Sequence, residues 1–166
     1  MPLFNIGALR AGLPRGRRLL GIDPGERRVG LALSDVSLLL ASPYAVLPRR
    51  KLSLLATEIG AIAAREDVGG LVCGLPLSMD GSFGPAAQAA HDWIGALSER
   101  TGLPAATWDE RLSSSAVNRM LIEEMDATRA RRDAVVDKLA AAYMLQAALD
   151  ATGQEIGDAD GGRDRD

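Results

Sequence analysis

Four carboxylates fall where a predicted element ends or begins. Asp23 closes the apolar run Arg17–Asp23, Asp109 and Glu110 follow a short strand at Ala105–Trp108, and Asp137 stands near the start of the last predicted helix. In an open α/β sheet, sites gather at the carboxyl ends of parallel strands. If the strands leading to Asp23 and to Asp109-Glu110 are parallel neighbours, these acids share one edge, and Asp137 can lean over it from a helix packed on the sheet. Acids held together are costly to ionise unless a cation joins them. Oxygen-only donors suit Mg²⁺ or Mn²⁺. Two such ions about 3.5–4 Å apart can activate a water and stabilise a departing oxygen in phosphodiester hydrolysis. A plainer reading stands beside this one. Asp23 would cap the Pro24-Gly25 turn, Glu110 would pair with Arg111, and Asp137 would favour the positive end of its helix.

The elements that must position these residues follow from periodicity. Arg17–Asp23 and Arg28–Asp35 read as two strands separated by a turn at Pro24-Gly25, hence a hairpin. Tyr44–Pro48 is a third short strand, Gly70–Gly74 a buried one, and Ala105–Trp108 the fifth. Apolar spacing of three and four predicts helices over Leu52–Arg65, Pro85–Arg100, Ser113–Met125 and Val135–Leu149. In the last of these, Leu139, Ala142, Tyr143, Leu145 and Ala148 form the expected buried stripe. An antiparallel opening followed by β-α-β units predicts an α/β fold: a mixed five-stranded sheet with helices on both faces. Residues 1–16 read as an N-terminal extension outside the core, 17–150 as one domain, and 151–166 as an acidic, disordered tail.

Four blocks in this order resemble the YqgF/RuvX family. They are Gly21-Ile22-Asp23-Pro24-Gly25 with Arg28-Val29-Gly30-Leu31-Ala32 and Ser34-Asp35; Gly74-Leu75-Pro76-Leu77 with Asp80-Gly81-Ser82; Asp109-Glu110-Arg111-Leu112; and Asp137-Lys138-Leu139-Ala140-Ala141 with Leu145-Gln146. The resemblance implies a ribonuclease H-like fold and a divalent-metal nuclease. It implies processing of the 5′ end of precursor 16S rRNA, or resolution of four-way DNA junctions by a homodimer. Asp23, Glu110 and Asp137 match the family's catalytic, metal-holding positions, and Asp109 beside Glu110 is a further ligand or a structural acceptor. Serines 113–115 replace the threonines usual after the third block, which keeps the hydroxyls. Two other readings remain open: a non-catalytic RNA-binding factor in ribosome maturation, and a nucleotide-binding ATPase. The ATPase is disfavoured by the lack of a second lobe.

Substrate contacts are sought near that acidic edge. Gly25 and Gly30 either permit tight backbone geometry or let a phosphate approach closely. The loop Gly74–Ser82, which includes Pro76 and Gly81, is either a plain connector or, as its length and polarity beside the expected acidic edge favour, a substrate-facing segment. Arg27, Arg28, Arg111, Arg129, Arg131 and Arg132 are solvated charges or phosphate contacts, with Thr128–Arg132 read as a basic loop. Aromatic residues are only 4% and do not interleave with the basic ones, which argues against a base-stacking platform.

Composition bounds the rest. The chain has 166 residues, 47% apolar and 25% charged, the balance of an ordinary globular domain. No apolar run reaches the length of about 18 residues that a membrane span needs, and no signal peptide is evident, so a cytoplasmic location is expected. Single Cys73 and single His91 exclude a disulfide framework and a Cys- or His-rich metal site. The net charge of −3 hides a split: the tail 151–166 carries −3, and Met1–Arg50 carries +5. Nucleic acid therefore remains an eligible partner despite the acidic total.

Overall fold

Alternation of large and small residues along the strands decides which helices cover which face. The computed structural model describes residues 3–77, 80–109 and 129–161, the last stretch with side chains over 136–153. A short helix, α1 (Ile6–Ala11), precedes an antiparallel meander of β1 (Arg18–Pro24), β2 (Arg28–Ser34) and β3 (Ala41–Pro48). Helix α2 (Leu52–Glu66) leads to β4 (Val68–Leu75), and α3 (Pro85–Thr101) to β5 (Ala105–Asp109). Both strands run parallel to β1, so the sheet order is β3-β2-β1-β4-β5. The final helix, α4, spans Arg129–Gly161. The mixed five-stranded sheet expected from the sequence is present, each strand lying within three residues of its expected bounds. The expected helix Ser113–Met125 lies outside the described residues.

In β2 the large residues Val29, Leu31 and Leu33 face one way. They join Leu20, Ile22, Leu71 and Cys73 beneath Leu55 and Ile59 of α2 and Ile94 and Leu97 of α3. The opposite face carries Gly21, Gly30, Ala32 and Val72, and there α4 lays down Ala141, Ala142, Leu145, Ala148 and Leu149. A Cβ on Gly21 would stand 3.0 Å from the Leu145 Cβ, so the helix rests almost on the sheet backbone. This shifts the buried stripe from the expected one. Tyr143 is exposed and Ala141 is fully buried, because a face of small residues accepts a close alanine-rich helix better than a bulky ring.

Two side chains, Gln146 and Arg10, fasten α4, and Ser34 braces the sheet beneath it. Gln146 Nε2 donates to Leu39 O, and its Oε1 accepts from Ala41 N, each at 2.9 Å. Ser34 Oγ accepts from Leu19 N at 2.8 Å and braces the small-residue face from within. Arg10 of α1 donates to Leu149 O at 3.0 Å and to Thr152 Oγ1 at 3.2 Å. Burial lowers the pKa of this guanidinium, opposed by the charge of Asp35.

Two expectations need correction. Residues 1–16 are not all outside the core. Phe4 bridges to Ala106 beside β5, Asn5 Oδ1 accepts from Ala8 N at 2.7 Å to start α1, and Ile6 and Leu9 are buried against α4 and the sheet. Gly70 leaves the space that Leu9 fills, since a Cβ there would meet Leu9 Cδ1 at 3.0 Å. The last helix also exceeds Val135–Leu149 at both ends. Arg129, Arg131 and Arg132 stand on its first turns rather than in a loop, consistent with the helix preference of Arg and Ala. Residues 151–161, expected to be disordered, continue it, and buried Thr152 donates to Ala148 O at 2.8 Å. Among the described residues, no helix is long and apolar enough to cross a membrane.

The turn between β2 and β3 is closed by Asp35. Its carboxylate accepts from Ser37 Oγ and from the backbone N–H of Leu39 and Leu40, at 2.8 and 3.1 Å for the two amides. The Ser37 hydroxyl, then the Leu40 amide, hold its pKa down from 3.8 to about 2.

Two predictions follow from this packing. Leu9→Ala lowers the unfolding free energy by about 2–4 kcal/mol in urea melts, as for a buried leucine; a change under about 0.5 kcal/mol would return α1 to the status of an appendage. For Asp35, a depressed carboxylate stabilises the fold above its unfolded pKa and loses that contribution as pH falls through the folded one. The Tm gap between wild type and Asp35→Ala should thus be widest above pH 4 and close as pH falls from 3.8 to about 2; a gap independent of pH over that range would contradict it.

Candidate functional site

Asp23 is the next-to-last residue of β1, at its carboxyl end. Strand alternation sets its side. Leu20 and Ile22 point to α2 and α3, so Leu19, Gly21 and Asp23 point to α4. Across the antiparallel pair, Asp23 is the register partner of Gly30. Gly30 in turn lies under the backbone of Asp137 in α4: a Cβ there would stand 2.1 Å from Asp137 O and 2.8 Å from its carbonyl carbon. Only a glycine lets the helix come this close. Asp23 and Asp137 are thereby brought to one face and one end of the sheet, two of the acids that the sequence singled out.

The turn between β1 and β2 forms the floor beside them. Gly25 N donates to Arg28 O at 2.9 Å, and a Cβ on Gly25 would meet that oxygen at 2.7 Å. For both Gly25 and Gly30, close backbone approach within the protein is therefore sufficient reason for glycine. Arg28, whose alternation places it on the α4 side, forms an ion pair with Asp137, Nε to Oδ2 at 2.9 Å. Gly25, Glu26, Arg27, Arg28 and Asp137 line an open cleft of about 310 Å³.

The loop after β4 leaves the same edge. Gly74 is buried within β4, Pro76 is exposed just past its end, and Gly81 takes a left-handed φ of 86° in a turn where Ser82 N donates to Asp80 Oδ1 at 2.9 Å. Asp109 ends β5 as the register partner of Leu75. Counting from Ala106, which faces α4, it falls on the α2/α3 side of the sheet, away from Asp23 and Asp137. Glu110 and Arg111, and the side chains of Arg129, Arg131 and Arg132, lie outside what the structure describes. Among the described residues, no three His, Cys, Asp or Glu form a cluster.

Sequence reading missed Arg49. Its Nη1 donates to Gly25 O at 2.8 Å, its backbone N donates to Arg27 O at 2.8 Å, and its guanidinium stacks 5.6 Å from the Trp93 ring centroid. It thus ties the turn after Asp23 to α3. The signal was available: Arg27-Arg28 and Arg49-Arg50 bracket the β2–β3 hairpin, and antiparallel register must bring two such pairs together.

The donor set suits a hard divalent cation. Two carboxylates share one face, and one of them already draws a guanidinium, so the position favours positive charge. What the pair can do chemically is hold such a cation at an edge open to a phosphate backbone.

The spacing that carries this site generates a prediction. Gly30→Ala forces α4 away from β2, costs about 1–3 kcal/mol or more of stability, and separates Asp137 from Asp23. Unfolding melts that leave stability unchanged within about 0.5 kcal/mol would show that the helix is not held there.

Comparison with known proteins bears on the family and the fold. The family model described as "RuvX: Holliday junction resolvase" matches residues 17–151. A protein of Gluconacetobacter diazotrophicus named "Putative pre-16S rRNA nuclease" is 71% identical over 154 residues, covering 93% of this chain and all of that protein. A protein of the same name from Gluconobacter oxydans is 63% identical, covering 93% of this chain and 97% of the other. Among solved structures, Thermus thermophilus RuvC in complex with a Holliday junction substrate aligns with a TM-score of 0.50 at 16% identity, covering 85% of this chain and 96% of that one. That likeness concerns the fold, which is the RuvC type of ribonuclease H-like sheet.

Proposed function

Because the chain belongs to the RuvX family, we propose that it is a divalent-metal-dependent nuclease that hydrolyses phosphodiester bonds at the 5′ end of precursor 16S rRNA. The observation that carries this reading is the close approach of α4 to Gly30, which sets Asp23 and Asp137 on one face of the sheet's carboxyl edge. The name of its close relatives supports the RNA substrate.

In this reading Asp23, Asp137 and Glu110 hold Mg²⁺ or Mn²⁺. Asp109, on the other side of the sheet, serves β5 rather than the metal. When bound, the metal lowers the pKa of an attacking water and offsets charge on the departing oxygen. The chain's own residues do the rest. Asp23 and Asp137 supply fixed negative charge at a rigid strand end and a rigid helix, so little reorganisation accompanies metal entry. Gly25, Arg28 and the cleft beside them receive the phosphate next to the scissile bond. Gly74 and Pro76 set the path of the loop, and Gly81 its turn, so that the loop backbone meets the substrate strand. Arg111, Arg129, Arg131 and Arg132 contact flanking phosphates, which carry affinity rather than sequence information. The work takes place in the cytoplasm, on free precursor or within the pre-ribosome.

A second reading, a resolvase of four-way DNA, is favoured by the family description and by the junction-bound relative. It alone requires a homodimer, because two strands must be cut symmetrically.

The test is cleavage of a 5′-extended 16S precursor RNA and of a four-way DNA junction, each with Mn²⁺ and Mg²⁺. The expected result is metal-dependent RNA cleavage that falls at least 10³-fold in Asp23→Asn and in Asp137→Asn. Cutting of the junction alone would move the function to the resolvase. Tight RNA binding without cleavage, unchanged by the acid substitutions, would leave a maturation factor that does no chemistry.

A further inference from the structure

We propose that Arg28 is an exchangeable counter-cation for Asp137: its guanidinium holds the carboxylate while no metal is bound and yields it when a divalent cation arrives. The proposal rests on the reading of Asp137 as a metal ligand. The contact itself is direct, Nε to Oδ2 at 2.9 Å, and neither partner is deeply buried, with 37% and 24% of their side chains exposed. An ion pair this accessible is weakly held. A divalent cation shared between Asp137 and Asp23 carries twice the charge and meets two carboxylates, so it wins the competition.

Three features make exchange, rather than simple loss, the outcome. The backbone of Arg28 stays in place, because Gly25 N donates to its carbonyl at 2.9 Å and it pairs with Pro48 across the hairpin. Only the side chain moves. A guanidinium is a standing cation, so it and the incoming metal compete for the same carboxylate. The cleft of about 310 Å³ beside it, lined also by Gly25, Glu26 and Arg27, offers room for the displaced guanidinium. That cleft adjoins the acids, so the guanidinium turns toward the same place where a substrate phosphate enters. Metal binding at Asp137 thereby converts Arg28 from an internal partner into a hydrogen-bond donor to phosphate. An ordered sequence follows, with metal before substrate.

The test is calorimetric titration of Mn²⁺ into the full chain without nucleic acid, for wild type, Arg28→Gln and Asp137→Asn. The proposal predicts that Arg28→Gln binds Mn²⁺ about two- to fivefold more tightly, the scale of a partly exposed ion pair, while Asp137→Asn binds much more weakly. Mn²⁺ should also raise the Tm of Arg28→Gln more than that of wild type. In parallel, the Arg28 Nε–H resonance of the wild-type protein, assigned by its absence in Arg28→Lys, is followed during Mg²⁺ titration. It should lose its exchange protection as the site fills. Mn²⁺ binding that is equal or weaker in Arg28→Gln, or an Nε–H signal unchanged at saturation, would overturn the proposal and leave the nuclease reading intact. Failure of the wild-type protein to bind Mn²⁺ any better than Asp137→Asn would overturn both.

Discussion

The absence of a side chain at Gly30 is the constraint on which the site depends. A single methyl group there would fall 2.1 Å from the carbonyl oxygen of Asp137. Without that methyl, α4 settles onto β1 and β2, and the register that pairs Gly30 with Asp23 does the remaining positioning. The same logic continues along the helix at Gly21 under Leu145 and at Ala32. Close packing of small residues is stiff, because there are no long side chains to rearrange. In the proposed function this rigidity would serve chemistry, since two carboxylates that share a cation gain most when their separation is set in advance.

Around this acidic pair the charge is mostly positive. Arg27, Arg28 and Arg49 come from the two ends of one hairpin, and Arg49 spends its guanidinium on Gly25 O and the Trp93 ring. Arg50 is paired with Glu58 at 2.8 Å. The basic residues thus divide into braces, which hold the turn after Asp23, and donors that face the cleft. This division reconciles an acidic chain with a polyanionic substrate: the tail carries the surplus negative charge, and the site's margin carries the arginines.

Much of the architecture was legible in the sequence because period and punctuation agree. Val29, Leu31 and Leu33 alternate with Gly30, Ala32 and Ser34, Pro24-Gly25 marks the turn, and the helices α2 and α3 repeat at three and four. The short α1 was not legible, since a six-residue helix with two buried residues, Ile6 and Leu9, followed by Gly12, Pro14 and Gly16, gives too little periodicity; only the Asn5 cap and the space at Gly70 reveal it. Tyr143 lies outside the buried stripe of α4 because a helical period fixes spacing and not phase, and the phase here is set by the small residues of the sheet. Of the site, the types and strand-end positions of Asp23 and Asp137 could be read from the chain. Their meeting could not, because it runs through a contact between Gly30 and Asp137 that no local pattern encodes. The side taken by Asp109 follows from alternation along β5, which sequence supplies only once the strand's phase is known.

In the proposed function Asp23 and Asp137 hold one cation between β1 and α4. Crystals of the full chain grown or soaked with Mn²⁺ test it most directly, through the anomalous signal of the metal. The expected result is a peak within about 2.0–2.3 Å of a carboxylate oxygen of both Asp23 and Asp137. A metal bound by neither, or by one of them on a side turned away from the other, would contradict it.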